Sequence, residues 1–275
     1  MSIFTNEVDS ENPGVRILTM NRPEAMNSFN VHLFFEMKKT FEALGKDPSV
    51  RAIVLTGAGR AFCAGADISD GFSSSGFDYK AEYVDGVARD TGGILNLAIF
   101  GLNVPVIAAM NGSAVGIGLT MTFPCDIRIA AKKAKYAIPF TRRGIVFDGA
   151  ASWFLPQLVG FSKAYEWGLK GDFIAPEEGL NSGLFSELLE NEDVLPRALE
   201  LARDLAQNCS PTSIANMKHL LRRSMLGNGV MQNAPFALHL EESAMLSKAF
   251  PSHDCQEGVQ SFLEKRAPKF KDRDV

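Results

Sequence analysis

Apolar positions come first in short runs and later at helical spacing. "GVRILTMN" is a β-rich run that stops at "NRPEAMN", where Pro23 punctuates a loop. "VHLFFEMKKTFEALGKD" then places Phe34, Met37, Phe41 and Leu44 on one helical face. "VRAIVLTGAG" is a second, buried-type strand ending in glycines, and "NVPVIAAMNGS" repeats that pattern after a helix predicted over residues 80 to 100. "CDIRIAA" supplies a fourth strand. Strands alternating with helices predict an α/β arrangement with parallel crossovers. After Gly160 the texture changes. "FSKAYEWGLKG", "PEEGLNSGLF", "VLPRALELARDLAQNCSP", "TSIANMKHLLRRSML" and "FALHLEESAMLSKAF" read as helices separated by Gly, Pro and Asn. The predicted division is a β/α core over 1–193 and a helical region over 194–275. Apolar stripes such as Leu199, Leu201 and Leu205 fit either a core or an interface between copies. "DGFSSSGFDYKAEYVD" at 70–85 is polar, glycine-rich and loop-like, and is predicted to form a flap over a site.

Composition narrows the class. A chain of 275 residues that is 46% hydrophobic has ample material for a buried core. Its net charge of -4 gives no basic excess to cover phosphates, so nucleic acid is not the expected partner. The start lacks a basic and then apolar leader, and no run approaches the ~18 apolar residues of a membrane span, so the expectation is a cytoplasmic protein without membrane association. Cys63, Cys125, Cys209 and Cys255 lie far apart with no metal-ligand spacing and read as free thiols. His32, His219, His239 and His253 fall outside the central region, in no recognisable nucleophile setting. No metal site is expected.

The stretch "RRGIVFDGAASWFLP" carries a lone carboxylate, Asp148, in an apolar, small-residue run. A bland reading has it N-cap a helix beginning at Gly149; a chemical reading makes it a desolvated base, and the two are compatible. Two glycine-bearing turns, "TGAGRAFCAGADIS" and "NGSAVGIGLTMTFPCD", follow strands and are suited either to close backbone packing or to presenting N–H groups to an anion. Neither matches the phosphate-binding GxxxxGK[ST], the dinucleotide GxGxxG or the hydrolase GxSxG pattern.

Taken together, "ILTMNRPEAMNSFN", "IVLTGAGRAFCAGADI", "VPVIAAMNGSAVGIGLTMTFPCDIRIAAKKAKYAIPF", "RRGIVFDGAASWFLPQLVG" and "EGVQSFLEKRAPKF" resemble, in this order, the crotonase or enoyl-CoA hydratase/isomerase superfamily. The resemblance implies a crotonase-like spiral of ββα units, a C-terminal helical trimerisation region, a homotrimer or dimer of trimers, and an acyl-CoA thioester as substrate, with no cofactor beyond the coenzyme A that the substrate carries. It also implies that the backbone N–H groups of Ala66 and Ile117 meet the thioester oxygen where enolate charge develops. Substrate contacts are implied at Ala64, Asp67, Ile68, Gly116, Phe140 and Trp153, with Phe262 and Lys265 reaching coenzyme A. The two glutamates of the family's hydratases fall here at Thr120 and Phe140, so the two-acid hydration mechanism does not carry over. Asp148 lies eight residues after Phe140, where the single-acid isomerases carry their proton-transfer carboxylate. The resemblance thus implies Δ3,Δ2-enoyl-CoA isomerisation with Asp148 as base. Its alternatives are a one-acid hydratase or lyase-type reaction, and a non-catalytic acyl-CoA- or RNA-binding member, which the pI near 5.7 disfavours.

Overall fold

A computed structural model describes residues 2–67 and 83–230 and, beyond these, 239, 243–246, 248–250 and 252–272. The chain opens with an antiparallel pair, β1 (Phe4–Val8) and β2 (Val15–Met20). A loop then leads into α1 (Val31–Gly45), whose buried face is Leu33, Phe34, Met37, Phe41 and Leu44. Asn30 starts this helix by accepting the Leu33 N–H on its side chain.

From here a step repeats. A strand enters a large sheet, a short strand enters a small one, and a helix follows. The first step is β3 (Ala52–Gly57), β4 (Ala61–Cys63) and, after a small hairpin of β5 (Tyr83–Val84) and β6 (Val87–Ala88), α2 (Thr91–Phe100). The second is β7 (Val106–Met110), β8 (Ser113–Val115) and α3 (Ile117–Thr120). The third is β9 (Ile127–Ala131), β10 (Tyr136–Ala137) and α4 (Ala151–Lys170). β11 (Phe173–Ile174), α5 (Pro176–Asn181), β12 (Glu187–Leu189), α6 (Asn191–Asn208), α7 (Pro211–Val230) and α8 (His253–Glu264) complete the described elements.

The large sheet runs β1-β2-β3-β7-β9-β12, parallel from β2 onward, and the small one runs β11-β10-β8-β4. This is the crotonase-like ββα spiral. β3 and β7 are buried at every position, as expected of parallel strands covered on both faces, which explains their unbroken apolar runs. α6 lies across β2, β3, β7, β9 and β12 and buries Val194, Ala198 and Ala202. Leu199, Leu201 and Leu205 pack against the same core, so this stripe is a core stripe within the protomer. α7 is tied down by Lys218, whose Nζ donates to the Val104 carbonyl at 2.7 Å and to Asp126 Oδ2 at 2.5 Å.

The helix predicted over 80–100 is shorter than its pattern. It begins at Thr91, because Asp90 caps it and the β5–β6 hairpin occupies the residues before it. Residues 70–82 of the predicted flap, like Ile68 and parts of "FALHLEESAMLSKAF", lie outside the described residues. No helix among the described residues is long and apolar enough to cross a membrane.

Candidate active site

Two turns form one wall of a cavity of about 800 Å³. The first follows β4. Ala64 N–H donates to the Met26 carbonyl, Phe29 N–H to the Gly65 carbonyl, and Asp67 N–H to the Phe29 carbonyl. That bridge engages residues on either side of Ala66 and leaves Ala66's own N–H out of it. The loop behind is fixed by the buried Asn27, whose amide donates to the carbonyls of Ala58 and Ala61 and whose oxygen accepts the Arg22 N–H. Asp67 Oδ2 accepts from Arg22 Nη2 (3.1 Å) and Ser28 Oγ (3.3 Å), contacts that tie the turn to the loop before α1.

The second turn follows β8. Gly116 sits at φ 54, ψ -126, a conformation that a side chain would strain. It sends Ile117 into the first turn of α3, where its N–H has no intrahelical acceptor. Among the described residues no acceptor takes the N–H of Ala66 or of Ile117, and both residues line the cavity with Ala64 and Gly116. Glycine lets the two turns touch: a Cβ on Gly118 would stand 2.1 Å from the Cys63 carbonyl oxygen.

The rest of the lining works through side chains. After β10 the chain passes Phe140, which packs edge-on against Phe147 at 5.9 Å, and reaches Asp148; all three line the cavity. Asp148 does not cap α4. The helix starts at Ala151, and Ala150 precedes it in the left-handed region at φ 56 with no side-chain cap. Gly149 (φ 62) and Ala150 together make a turn that aims Asp148 inward. A left-handed alanine costs roughly 1–2 kcal/mol and persists only where its surroundings hold it.

Thr120 Oγ1 donates to Asp148 Oδ1 at 2.7 Å. Burial among protein atoms pushes the Asp148 carboxyl up to about 7. The Thr120 hydrogen bond opposes this rise and the nearby charge of Asp90 adds to it. Such a carboxyl changes protonation near neutral pH, as a proton-transfer group must. Burial also pushes the Cys63 thiol up to about 12, which keeps it protonated beside the site. Arg143 is the one cation lining the cavity among the described residues, and in those residues no three His, Cys, Asp or Glu side chains gather to hold a metal.

The other implied contacts lie apart. Trp153 is on α4 and packs edge-to-face against Phe100 (5.5 Å) and Phe154 (4.9 Å) outside the cavity lining. Phe262 is exposed on α8 and Lys265 ends that helix in a left-handed conformation; neither lines the cavity of this protomer. Asp90, on the cavity wall at the start of α2, had no signal beyond the helix cap that "DTGG" spells.

A β/α spiral in which two N–H-bearing turns and a buried, raised carboxylate line one cavity has the make-up of an enzyme active site. The enoyl-CoA hydratase/isomerase family model matches residues 10–273, and the chain belongs to that family. It is 42% identical over 260 residues, 94% of this chain and 83% of the relative, to the enoyl-CoA hydratase ACTT3 of Alternaria alternata. It is 33% identical over 266 residues, 94% of this chain and 95% of the relative, to the 1,2-epoxyphenylacetyl-CoA isomerase of Escherichia coli K12. A crystal structure of a "probable enoyl-CoA hydratase/isomerase" from Mycobacterium abscessus superimposes with a TM-score of 0.87 at 36% identity, covering 98% of this chain and 99% of that one.

Proposed function

We propose that this family member shifts the double bond of a 3-enoyl-CoA to the conjugated 2-position through a thioester enolate, with Asp148 as proton carrier. The C2–H bond breaks and its proton goes to Asp148 Oδ2. The electron pair moves onto the thioester oxygen, which the N–H groups of Ala66 and Ile117 receive. One such donor is typically worth about 3 kcal/mol. The proton returns at C4, and the C3–C4 double bond becomes C2–C3. A proton that leaves and returns on one carboxylate needs no cofactor beyond the coenzyme A of the substrate.

The observation that carries this reading is Asp148 itself: it lines the cavity, held by Thr120 and with its carboxyl pushed up to about 7, while Thr120 and Phe140 stand where two acids would be needed for water addition. Relatives named enoyl-CoA hydratase favour a second reading, hydration of a 2-enoyl-CoA with the same carboxylate. One assay separates them. With 3-enoyl-CoA, isomerisation makes the conjugated-thioester absorbance rise; with 2-enoyl-CoA, hydration makes it fall. If neither changes and C2 of a saturated acyl-CoA exchanges no deuterium, the enolate mechanism is wrong.

The same reading assigns Phe262 and Lys265 to coenzyme A of an adjacent protomer in a homotrimer or dimer of trimers, because α8 lies off the cavity of its own chain. Light scattering that gives a monomer at micromolar concentration would end that assignment. A cytoplasmic setting and a substrate partner that is neither nucleic acid nor membrane complete the proposal.

A further inference from the structure

Asp90 is a carboxylate on the cavity wall for which the proton transfer above has no use. Its Oδ1 accepts the Gly93 N–H at 2.6 Å, capping α2. The same oxygen accepts the Gly149 N–H at 3.1 Å, across 59 residues of chain. The carbonyl of Gly149 is held from the same helix, by Asn96 Nδ2 at 2.7 Å, and that amide also donates to the Thr120 carbonyl at 2.9 Å. Both polar groups of Gly149 are therefore gripped by α2, and Gly149 follows Asp148 directly in the chain. The packing admits nothing between them. A Cβ on Gly149 would stand 2.6 Å from Asn96 Nδ2; one on Gly92 would stand 2.7 Å from Ile117 Cδ1, 3.1 Å from Asp90 Oδ1 and 3.4 Å from Gly149 N.

We infer that Asp90 is a positioning residue for proton transfer: through Gly149 it fixes the turn that aims Asp148, and it places a second negative charge beside that carboxylate. This rests on the reading of Asp148 as the base. The groups around Asp148 on the packed elements are Asp90 at the cap of α2, Thr120 on α3 and Cys63 on β4, with Arg143 on the lining of the same cavity and Arg89 adjacent to Asp90 in the chain. Of these, Asp90 carries the like charge that opposes ionisation of Asp148, second to burial among the causes that raise its carboxyl.

Asp90→Asn keeps an oxygen for the Gly93 and Gly149 N–H groups and removes the charge, whereas Asp90→Ala removes both. The protonation of Asp148 is read directly by carboxyl-carbon NMR on the free protein, assigned with Asp148→Asn, and indirectly by the pH profile of kcat on 3-enoyl-CoA. In Asp90→Asn the Asp148 midpoint and the acid limb of kcat should both move to lower pH, with the thermal transition kept. In Asp90→Ala, kcat should fall on the order of 10- to 100-fold, the scale of a misplaced reacting group, with acyl-CoA affinity kept. A simple helix cap would lower the melting temperature of Asp90→Ala and leave the Asp148 midpoint of Asp90→Asn where it was; that result overturns the inference. Should the wild type fail to isomerise at all, the proposed reaction falls, and the NMR arm still decides: a moved midpoint sustains the coupling of Asp90 to Asp148, and an unmoved one ends it.

Discussion

The turns at Ala64–Asp67 and Gly116–Ile117 present backbone N–H groups, whereas the stretch from Phe140 to Asp148 presents side chains. Substitution acts on these two walls by different rules. A backbone donor survives any side chain that leaves the turn in place. A side-chain acid has no substitute. On the proposed reading the difference shows where such chemistry can vary: the backbone wall needs only its turns kept, while the side-chain wall, with Thr120 and Phe140 in place of two acids, depends on Asp148.

The largest test removes that acid. Asp148→Asn should bind acyl-CoA yet lose on the order of 10²–10⁴ in turnover, the usual contribution of a positioned proton-transfer group. Steady-state kinetics beside equilibrium binding checks this, and a fully active variant would end the one-carboxylate mechanism. Asp148→Glu keeps the acid and should retain measurable activity.

The next test strikes the backbone wall. In Gly118→Ala the added methyl meets the Cys63 carbonyl, so the turn must move; kcat should fall roughly 10²–10³-fold, as when one oxyanion donor is lost. Ile117→Ala leaves the N–H in place and should change kcat by less than about tenfold. Equal losses in the two variants would refute the division between the walls.

A smaller effect is expected from Thr120→Val. Without its hydrogen bond the Asp148 carboxyl rises further, so the acid limb of the kcat profile moves to higher pH and the rate at neutral pH drops roughly tenfold. This shift is opposite in sign to the one expected for Asp90→Asn. The smallest is Lys265→Ala, which should weaken binding of coenzyme A about threefold to tenfold at low salt with the fold intact, the scale of one exposed charge contact. Unchanged affinity would remove Lys265 from the site.

The spiral was largely legible because its signals are local. β3 and β7 read as buried strands from unbroken apolar runs, and α1 from Phe34, Met37, Phe41 and Leu44. The position of Asp148 was legible through its spacing from Phe140 and the resemblance built on it. Its conformation was not, because nothing in "FDGAAS" announces that Ala150 takes a left-handed conformation and delays the helix to residue 151. Trp153 was expected to touch substrate on the resemblance alone. Its ring instead packs edge-to-face against Phe100, outside the cavity lining. Asp90 was the hardest to see, since a cap is a local pattern and a bond to an N–H 59 residues away is not.

The raised carboxyl of Asp148 also bears on how the protein folds. In an unfolded chain this group ionises near its ordinary value of 3.8, and in the folded protein only near 7. Between those values the native state binds the extra proton, so rising pH draws the equilibrium toward unfolding through this group. Above 7 its ionised form opposes the fold at full strength, which is also where the proposed base is competent. Protection from heat and catalytic competence thus sit on opposite sides of one titration. Asp148→Asn, inert as a base, should melt at a higher temperature than the wild type at pH 8 and lose that advantage as the pH falls toward 4.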